Sequence, residues 1–422
     1  MRHRLRAATL LLLLATAVIS AQQAVIAPSL NVSTSRLARL DRVLQEHVDT
    51  NRIAGAVALV LRDGKPIYER AFGWSDKEAG RQMTTGTIFR IASQTKAITS
   101  VAILMLMEEG RLTLNMPVSA FIPGFERTTV AMKGATGIET VLAKRAITIR
   151  DLLTHTAGIS YGADPLVAAQ YEAKGLGPAA GYGWYTADKD EEICDTMERL
   201  ATLPFVAQPG EAFVYGYNTD ILGCVVERAS GMTLDRFIAE RITGPLGMKD
   251  THFFLPAGMR DRLAAVYSAG PDGAIVRAPD GARGQGHYVD GPHKNFSGGA
   301  GLVSTAADYA RFLEMTRRGG TLDGVRILSP RAVALMTTNQ VGTLHSQNGL
   351  GFGLGFQTVD RYGAHSMSSV GSYRWAGAYG SQYLVDPQER LVMVFMVQML
   401  PDRTNYGRLF PNLVYQALVN ER

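Results

Sequence analysis

The sequence predicts an α/β (α+β) protein whose strands come from both ends of the chain, with a mostly helical stretch inserted between them. Near the N-terminus, "AGAVALVLRDGKPIYERAFGWSD" reads as two strands joined at Asp63-Gly64, a hairpin signal. Near the C-terminus, "GLGFGLGFQTV", "AGAYGSQYLVD" and "RLVMVFMVQM" read as successive strands. Between these ends the apolar residues recur mainly at helical spacing.

The elements follow in order. In "STSRLARLDRVLQEHVD", Leu37, Leu40, Leu44 and Val48 fall on one helical stripe. "ASQTKAITSVAILMLMEEG" reads as a helix ending at Gly110, apolar all round and therefore buried. "TIRDLLTHTAG" opens with Thr148 and Asp151 at capping-box spacing. "GADPLVAAQYEAKGLGPAAGYGWYTADKD" reads as a long loop with some helix, placed to wall a site. Helices follow at roughly 189–203, 218–230 and 233–243, then loops and short strands over 268–300. "STAADYARFLEMTRRGG" is a helix capped by Thr305 and Asp308 and stopped at Gly319. Residues 403–419 form a closing helix. This organisation divides the chain into residues 33–90 plus 291–422 as an α/β domain and 91–290 as the inserted helical one.

Composition bounds the function. The 422 residues are 46% apolar and 19% charged, enough for a sizeable core. Residues 1–21, "MRHRLRAATLLLLLATAVISA", have a basic start, an apolar run and small residues at Ser20 and Ala21. They read as a signal peptide for export to the periplasm or beyond the cell, followed by a linker over 22–32. The run is shorter than the roughly 20 apolar residues that span a bilayer, so no stable membrane insertion is expected after cleavage. Loss of Arg2, Arg4 and Arg6 takes the formal charge from +5 to +2, which makes no electrostatic case for nucleic acid. The two cysteines, Cys194 and Cys224, could pair in an exported protein. Their helical context reads instead as two free, buried thiols. The eight histidines form no His-x-His or His-x-x-x-His, and no metal or cofactor is expected.

Two serines compete for the role of nucleophile. "GISYG" at 158–162 fits Gly-x-Ser-x-Gly, but a nucleophile elbow needs a strand before its serine and a helix after it. Here a capped helix precedes Ser160 and a loop with Pro165 follows, so the motif reads as a turn. "SQTK" at 93–96 places Ser93 at the start of the buried helix, with Lys96 one turn along on the same face. A serine hydroxyl needs a neighbouring base, and burial favours the neutral lysine that could serve. The positive end of the helix also favours an oxyanion there.

The stretches "FRIASQTKAITSVAILMLMEEGRLTLNMPVSAFIPGF", "ITIRDLLTHTAGI", "PGEAFVYGYNTDILGCVVERASGMTLDRFI", "GPLGMKDT" and "SGGAGLVSTAADYARFLEM" closely resemble the serine β-lactamase-like superfamily, which includes class C β-lactamases, DD-peptidases and family VIII carboxylesterases. The resemblance runs from about residue 36 to the C-terminus. It implies the β-lactamase/transpeptidase-like fold, an antiparallel β-sheet flanked by helices with the helical domain inserted. It also implies three motifs.

Ser93-Gln94-Thr95-Lys96 is the first. The second supplies a tyrosine: where β-lactamases carry Tyr-x-Asn, this chain has Tyr215-Gly216-Tyr217, with Asn218 one place late. The esterase members place their Tyr-Ser pair at the same distance before Asp-Val-Leu-Gly, so with "TDILG" as anchor the resemblance favours Tyr215 over Tyr217 as the catalytic tyrosine and leaves Tyr217 lining the site. The third, Lys-Thr-Gly in β-lactamases, is Trp375-Ala376-Gly377 here, similar to the Trp-Gly-Gly of the esterase members. Trp offers apolar surface and one N–H where Lys would hold a carboxylate, which tilts the site toward neutral esters. By the same resemblance the oxyanion hole uses the backbone N–H groups of Ser93 and Ala378, and Gln94, Tyr217, Trp375, Ala376 and Gly377 contact substrate.

The resulting expectation is a serine carboxylesterase acting on short-chain acyl esters through an acyl-enzyme on Ser93, with Lys96 and Tyr215 moving the proton and weak cephalosporin hydrolysis on the side. No histidine is expected to be essential. The alternatives are a β-lactamase or D-amino-acid peptidase on the same scaffold, and a non-catalytic cell-wall peptide binder. The partner is a small-molecule ester; the oligomeric state stays open.

Overall fold

The computed structural model describes residues 31–135, 137–177, 186, 188–270, 273–281, 284–401 and 405–419. Residues 1–21, read as a signal peptide, and residues 178–185 and 187 of the loop expected to wall the site lie outside them. The main sheet has eight strands: β1 (Gly55–Arg62), β2 (Lys65–Asp76), β3 (Arg81–Gln82), β4 (Leu350–Phe352), β5 (Gln357–Val359), β6 (Tyr373–Ala376), β7 (Gln382–Asp386) and β8 (Leu391–Val397). Their spatial order is β4-β5-β6-β7-β8-β1-β2-β3, and every pairing is antiparallel. The two chain ends therefore meet where Ala56 to Arg62 pair with Val397 to Leu391.

Asp63 and Gly64 both take positive φ, 52° and 74°, at the turn between β1 and β2. That is the conformation a two-residue hairpin turn requires. The central strands are buried on both faces, which is why they read as continuous apolar runs. On one face, Ala56, Ala58, Val60, Met393 and Phe395 pack against helices α1 (Thr34–Asp49) and α10 (Tyr406–Tyr415). On the other, Val57, Leu59, Val392 and Val394 join the larger core with α2 (Thr95–Glu108) and α8 (Ala306–Arg317). The alternation is the period of two that a pleated strand imposes.

The helical part comprises α3 (Ile149–Leu153), α4 (Ala168–Ala173), α5 (Ile193–Ala201), α6 (Asn218–Ser230) and α7 (Leu234–Ile238). A further helix, α9 (Pro330–Met336), follows α8. α2 is buried from Thr95 to Leu106 and packs on α6 and α7, as its all-round apolar pattern predicted. Thr148 and Asp151 form a reciprocal capping box at α3, and the Thr305 side chain caps α8 through the Asp308 N–H. The segment expected as a helix over 233–243 divides: α7 gives way to a π-helical turn at Ala239–Thr243. Among the described residues, no helix is long and apolar enough to cross a membrane.

The reading of Cys194 and Cys224 as free thiols is overturned. They form a disulfide joining α5 to α6, with Cα atoms 5.0 Å apart. Helical periodicity shows that each cysteine faces inward, but it does not show which helix lies opposite. A bond closing a loop of this length, 30 residues in separation, contributes roughly 2–4 kcal/mol. The Cys194→Ala/Cys224→Ala double variant is expected to lose that much in urea unfolding, and reductant should lower the wild-type midpoint equally. An unchanged midpoint in both would rule the bond out as a stabilising link.

Candidate active site

Ser93 sits in a 3₁₀ turn, Ala92–Gln94, that leads into α2. Ala92 takes φ 43°, a left-handed conformation costly for a residue with a Cβ, so the turn is held by its surroundings. One of those surroundings is the end of β6. A Cβ at Gly377 would lie 2.5 Å from the Ile91 carbonyl oxygen, so only glycine lets the strand come this close to the serine's turn. The contact that demands glycine is thus with the turn. Ala378 follows and packs against the cluster containing Ala92, beside Ser93. Amides in the first turn of a helix lack intrahelical partners, which suits Ser93 N–H to an oxyanion.

Lys96 is 2% exposed and Ser93 7%. Lys96 Nζ lies 3.2 Å from Ser93 Oγ, 2.8 Å from Tyr161 Oη and 2.7 Å from the Gly299 carbonyl oxygen. The face of the Tyr215 ring lies 4.7 Å from the same nitrogen. A charged amine can donate to all three oxygens. A neutral one can donate to Gly299 and turn its lone pair toward Ser93 Oγ–H. The shell therefore accommodates the amine both before and after it takes a proton.

The hydroxyl that meets Lys96 belongs to Tyr161. Among the described residues no hydrogen bond joins Lys96 Nζ to Tyr215 Oη, which the sequence reading had paired. Tyr215 Oη instead accepts the Trp375 indole N–H at 3.1 Å, while its ring packs on His155, Tyr161 and Trp375. Burial, then Tyr215 and Asp220, hold the Tyr161 phenol well above its usual range, so it stays a proton donor. Tyr161 carries no signal of its own in the sequence, where the Gly-x-Ser-x-Gly pattern of "GISYG" points to the serine.

Ser160 is buried, its Oγ accepts the Gly162 N–H at 3.1 Å, and Gly158 and Gly162 have φ of 80° and 78°. The element leading into it is the helix α3, not a strand. The turn packs against Gly216, where a Cβ would lie 2.4 Å from Ser160 C. It therefore locks Tyr161 to the segment carrying Tyr215.

Asp220, also missed, is 1% exposed and accepts from Ser297 Oγ at 2.5 Å and Gly299 N–H at 3.0 Å. Burial raises its pKa; Lys96 and these hydrogen bonds oppose that. Asp220 thereby fixes the peptide whose carbonyl receives Lys96. Its signal in the sequence was only its place in "YNTDILG".

Two side chains expected to contact substrate, Tyr217 and Gln94, are buried. Tyr217 is 1% exposed, stands behind Tyr161 with ring centroids 4.8 Å apart, and accepts the Gly177 N–H through its hydroxyl. Gln94 is fully buried, and its amide oxygen and nitrogen reach neither solvent nor a hydrogen-bond partner. These two side chains point into the interior, so contact with a substrate would require them to move. Trp375 stands part-exposed at the site with Phe352 edge-on at 5.3 Å, and Ala376 is exposed at the strand end. Asn218, one place late for the β-lactamase motif, donates through Nδ2 to His155 Nδ1 at 2.9 Å. Among the described residues no group of three or more His, Cys, Asp or Glu is placed to hold a metal ion.

The family described as Beta-lactamase matches residues 40–413. Esterase EstB of Burkholderia gladioli is 33% identical over 370 residues, covering 84% of this chain and 88% of that protein. A putative D-alanyl-D-alanine carboxypeptidase of Escherichia coli K12 is 28% identical, covering 86% and 82%. Among solved structures, EstCE1, described as a hydrolase with promiscuous acyltransferase activity, superposes with a TM-score of 0.74 at 28% identity, covering 92% of this chain and 99% of that one. The chain belongs to the beta-lactamase family, and its fold is the β-lactamase/transpeptidase-like one.

The buried histidines make acid destabilising. Burial, with Lys96 adding, holds His155 neutral well below the usual histidine range. Burial also pushes His365 down to about 3. A histidine in the unfolded chain titrates near about 6.5. The stability these neutral rings contribute is therefore complete above that pH and is lost as pH falls below it. The urea midpoint should drop between about pH 7.5 and pH 5. His155→Gln should lessen the drop while keeping ester turnover within about tenfold, because no proton transfer is assigned to this ring. A pH-independent midpoint, or a His155→Gln protein that is folded but inactive, would contradict this.

Proposed function

From that membership we propose that the protein is an exported serine carboxylesterase of the family VIII type, hydrolysing short-chain acyl esters through an acyl-enzyme on Ser93. One observation carries the reading: Lys96 Nζ, buried, lies 3.2 Å from Ser93 Oγ, with a tyrosine hydroxyl at 2.8 Å on its other side. EstB, named an esterase, supports the substrate class. Export rests on residues 1–21.

Ser93 Oγ attacks the ester carbonyl as neutral Lys96 takes its proton. The oxyanion that forms meets the backbone N–H groups of Ser93 and Ala378; losing one such donor typically costs roughly 3–4 kcal/mol. As the C–O bond to the alcohol breaks, the departing alkoxide receives a proton from a tyrosine, and Lys96 returns one to that tyrosine. Tyr161 touches Lys96 directly, and Tyr215, whose oxygen accepts the Trp375 N–H, has its own proton free to give. Water then attacks the acyl-enzyme with Lys96 accepting its proton, and Ser93 leaves reprotonated.

Trp375 supports neutral esters over the carboxylate-bearing substrates of the rival reading. The carboxypeptidase relative keeps a D-amino-acid peptidase or β-lactamase as the second reading.

A panel of p-nitrophenyl esters from acetyl to dodecanoyl, run beside nitrocefin, tests the proposal. Esters should lead nitrocefin by several decades in kcat/KM; the reverse order would favour the second reading. Ser93→Ala should abolish turnover and Ser160→Ala should retain it. Failure of a serine-directed phosphonate to label Ser93 would point to a non-catalytic binder. Tyr161→Phe and Tyr215→Phe should each lower kcat by about 10²–10³ if both carry protons. A variant at wild-type kcat would remove that tyrosine from the relay.

A further inference from the structure

Away from Ser93 lies a cavity of about 240 Å³, bounded by α7 and its π turn, by residues 251–254 and by the segment containing His293, Phe296 and Leu302. None of the proposed catalytic groups lines it. Its walls are aromatic. Phe254 stacks on His293 with ring centroids 4.3 Å apart, and Phe296 stands edge-on to Phe253 and Phe254 at 5.5 and 6.1 Å.

Beside the Thr243 and Thr251 hydroxyls, which donate to the Ile238 carbonyl and to Asp308 Oδ2, its polar groups are acceptors. His252 Nε2 and His293 Nε2 each lie 3.0 Å from a backbone carbonyl, of Lys249 and Val289, so those nitrogens carry the hydrogen. In the neutral rings, Nδ1 is then left as a lone pair. Asp235 contributes a carboxylate to the lining. No lysine or arginine lines the cavity among the described residues. A carboxylate with no lysine or arginine in the lining and aromatic faces both attract a cation. The wall formed by Ala239 and Thr243 belongs to the π turn, a distortion found frequently at functional sites.

We propose that this cavity binds a small primary arylalkylamine, its ammonium on Asp235 and its ring among Phe253, Phe254 and Phe296. The volume falls below the roughly 300–1,000 Å³ of pockets for drug-sized ligands, which limits the ligand to about one ring and a short chain.

Calorimetric titration of the full chain with phenethylamine tests this, with uncharged 2-phenylethanol as the comparison. Phenethylamine should bind saturably at one site, and the alcohol at least about tenfold more weakly. Asp235→Asn should weaken phenethylamine about tenfold while leaving ester hydrolysis at the wild-type rate, which reports an intact fold. Phe254→Leu should weaken it through the ring wall, with the carboxylate intact. Absence of saturable binding, equal affinity for the alcohol, or affinity unchanged in Asp235→Asn would each overturn the assignment.

Discussion

The amino group of Lys96 is almost fully buried, and such a group must be met by oxygen and by π surface on every side it does not share with Ser93. Much of the surrounding structure supplies these partners. The Gly299 carbonyl, the Tyr161 hydroxyl and the Tyr215 ring come from three separate segments, and each is held by something further out. Asp220, itself held by the Ser297 hydroxyl, holds Gly299, the glycine turn around Ser160 holds Tyr161, and the Trp375 indole holds Tyr215. An apolar α2 supplies the low-dielectric setting in which these few dipoles matter.

The sheet brings the second half of the site. Its central strands carry apolar side chains on both faces, so the sheet is fixed between two helical layers. That rigidity lets the end of β6 be pressed onto the turn of Ser93. Gly377 is the point of contact, because any Cβ there would strike the Ile91 carbonyl. Strain at Ala92 and close approach at Gly377 both serve to hold one serine in place, an arrangement suited to a pre-organised oxyanion site.

The segment from Asn295 to Leu302 links two regions of the molecule. Its Gly298 and Gly299 carbonyls accept from Thr99 and Lys96 on α2, while Phe296 and Leu302 wall the aromatic cavity beside α7. Gly301 is pressed on Phe253, where a Cβ would lie 2.7 Å from the ring. The cavity's aromatic wall and the lysine's carbonyl partner are thus built from one short stretch of chain.

Local relations were legible in the sequence alone. Ser93 and Lys96 share a face because positions i and i+3 on a helix always do, and Thr148–Asp151 and Thr305–Asp308 cap helices for reasons confined to four residues. The β1–β2 hairpin follows from Asp63-Gly64, and β1 and β8 follow from their unbroken apolar runs; "GLGFGLGFQTV", which reads as one strand, folds as β4 and β5, and β6 has no such run and does not read as a strand. The partners of Lys96 and of the cysteines depended on which elements come to rest against each other. Periodicity could show that Cys194 and Cys224 face inward, but only the packing of α5 on α6 joined them. It could mark "GISYG" as a turn, but only the approach of that turn to α2 made Tyr161, and not the hydroxyl of Tyr215, the neighbour of Lys96. Side-chain direction within one element is fixed by backbone geometry over a few residues; contact between elements far apart in the chain is fixed by the whole core.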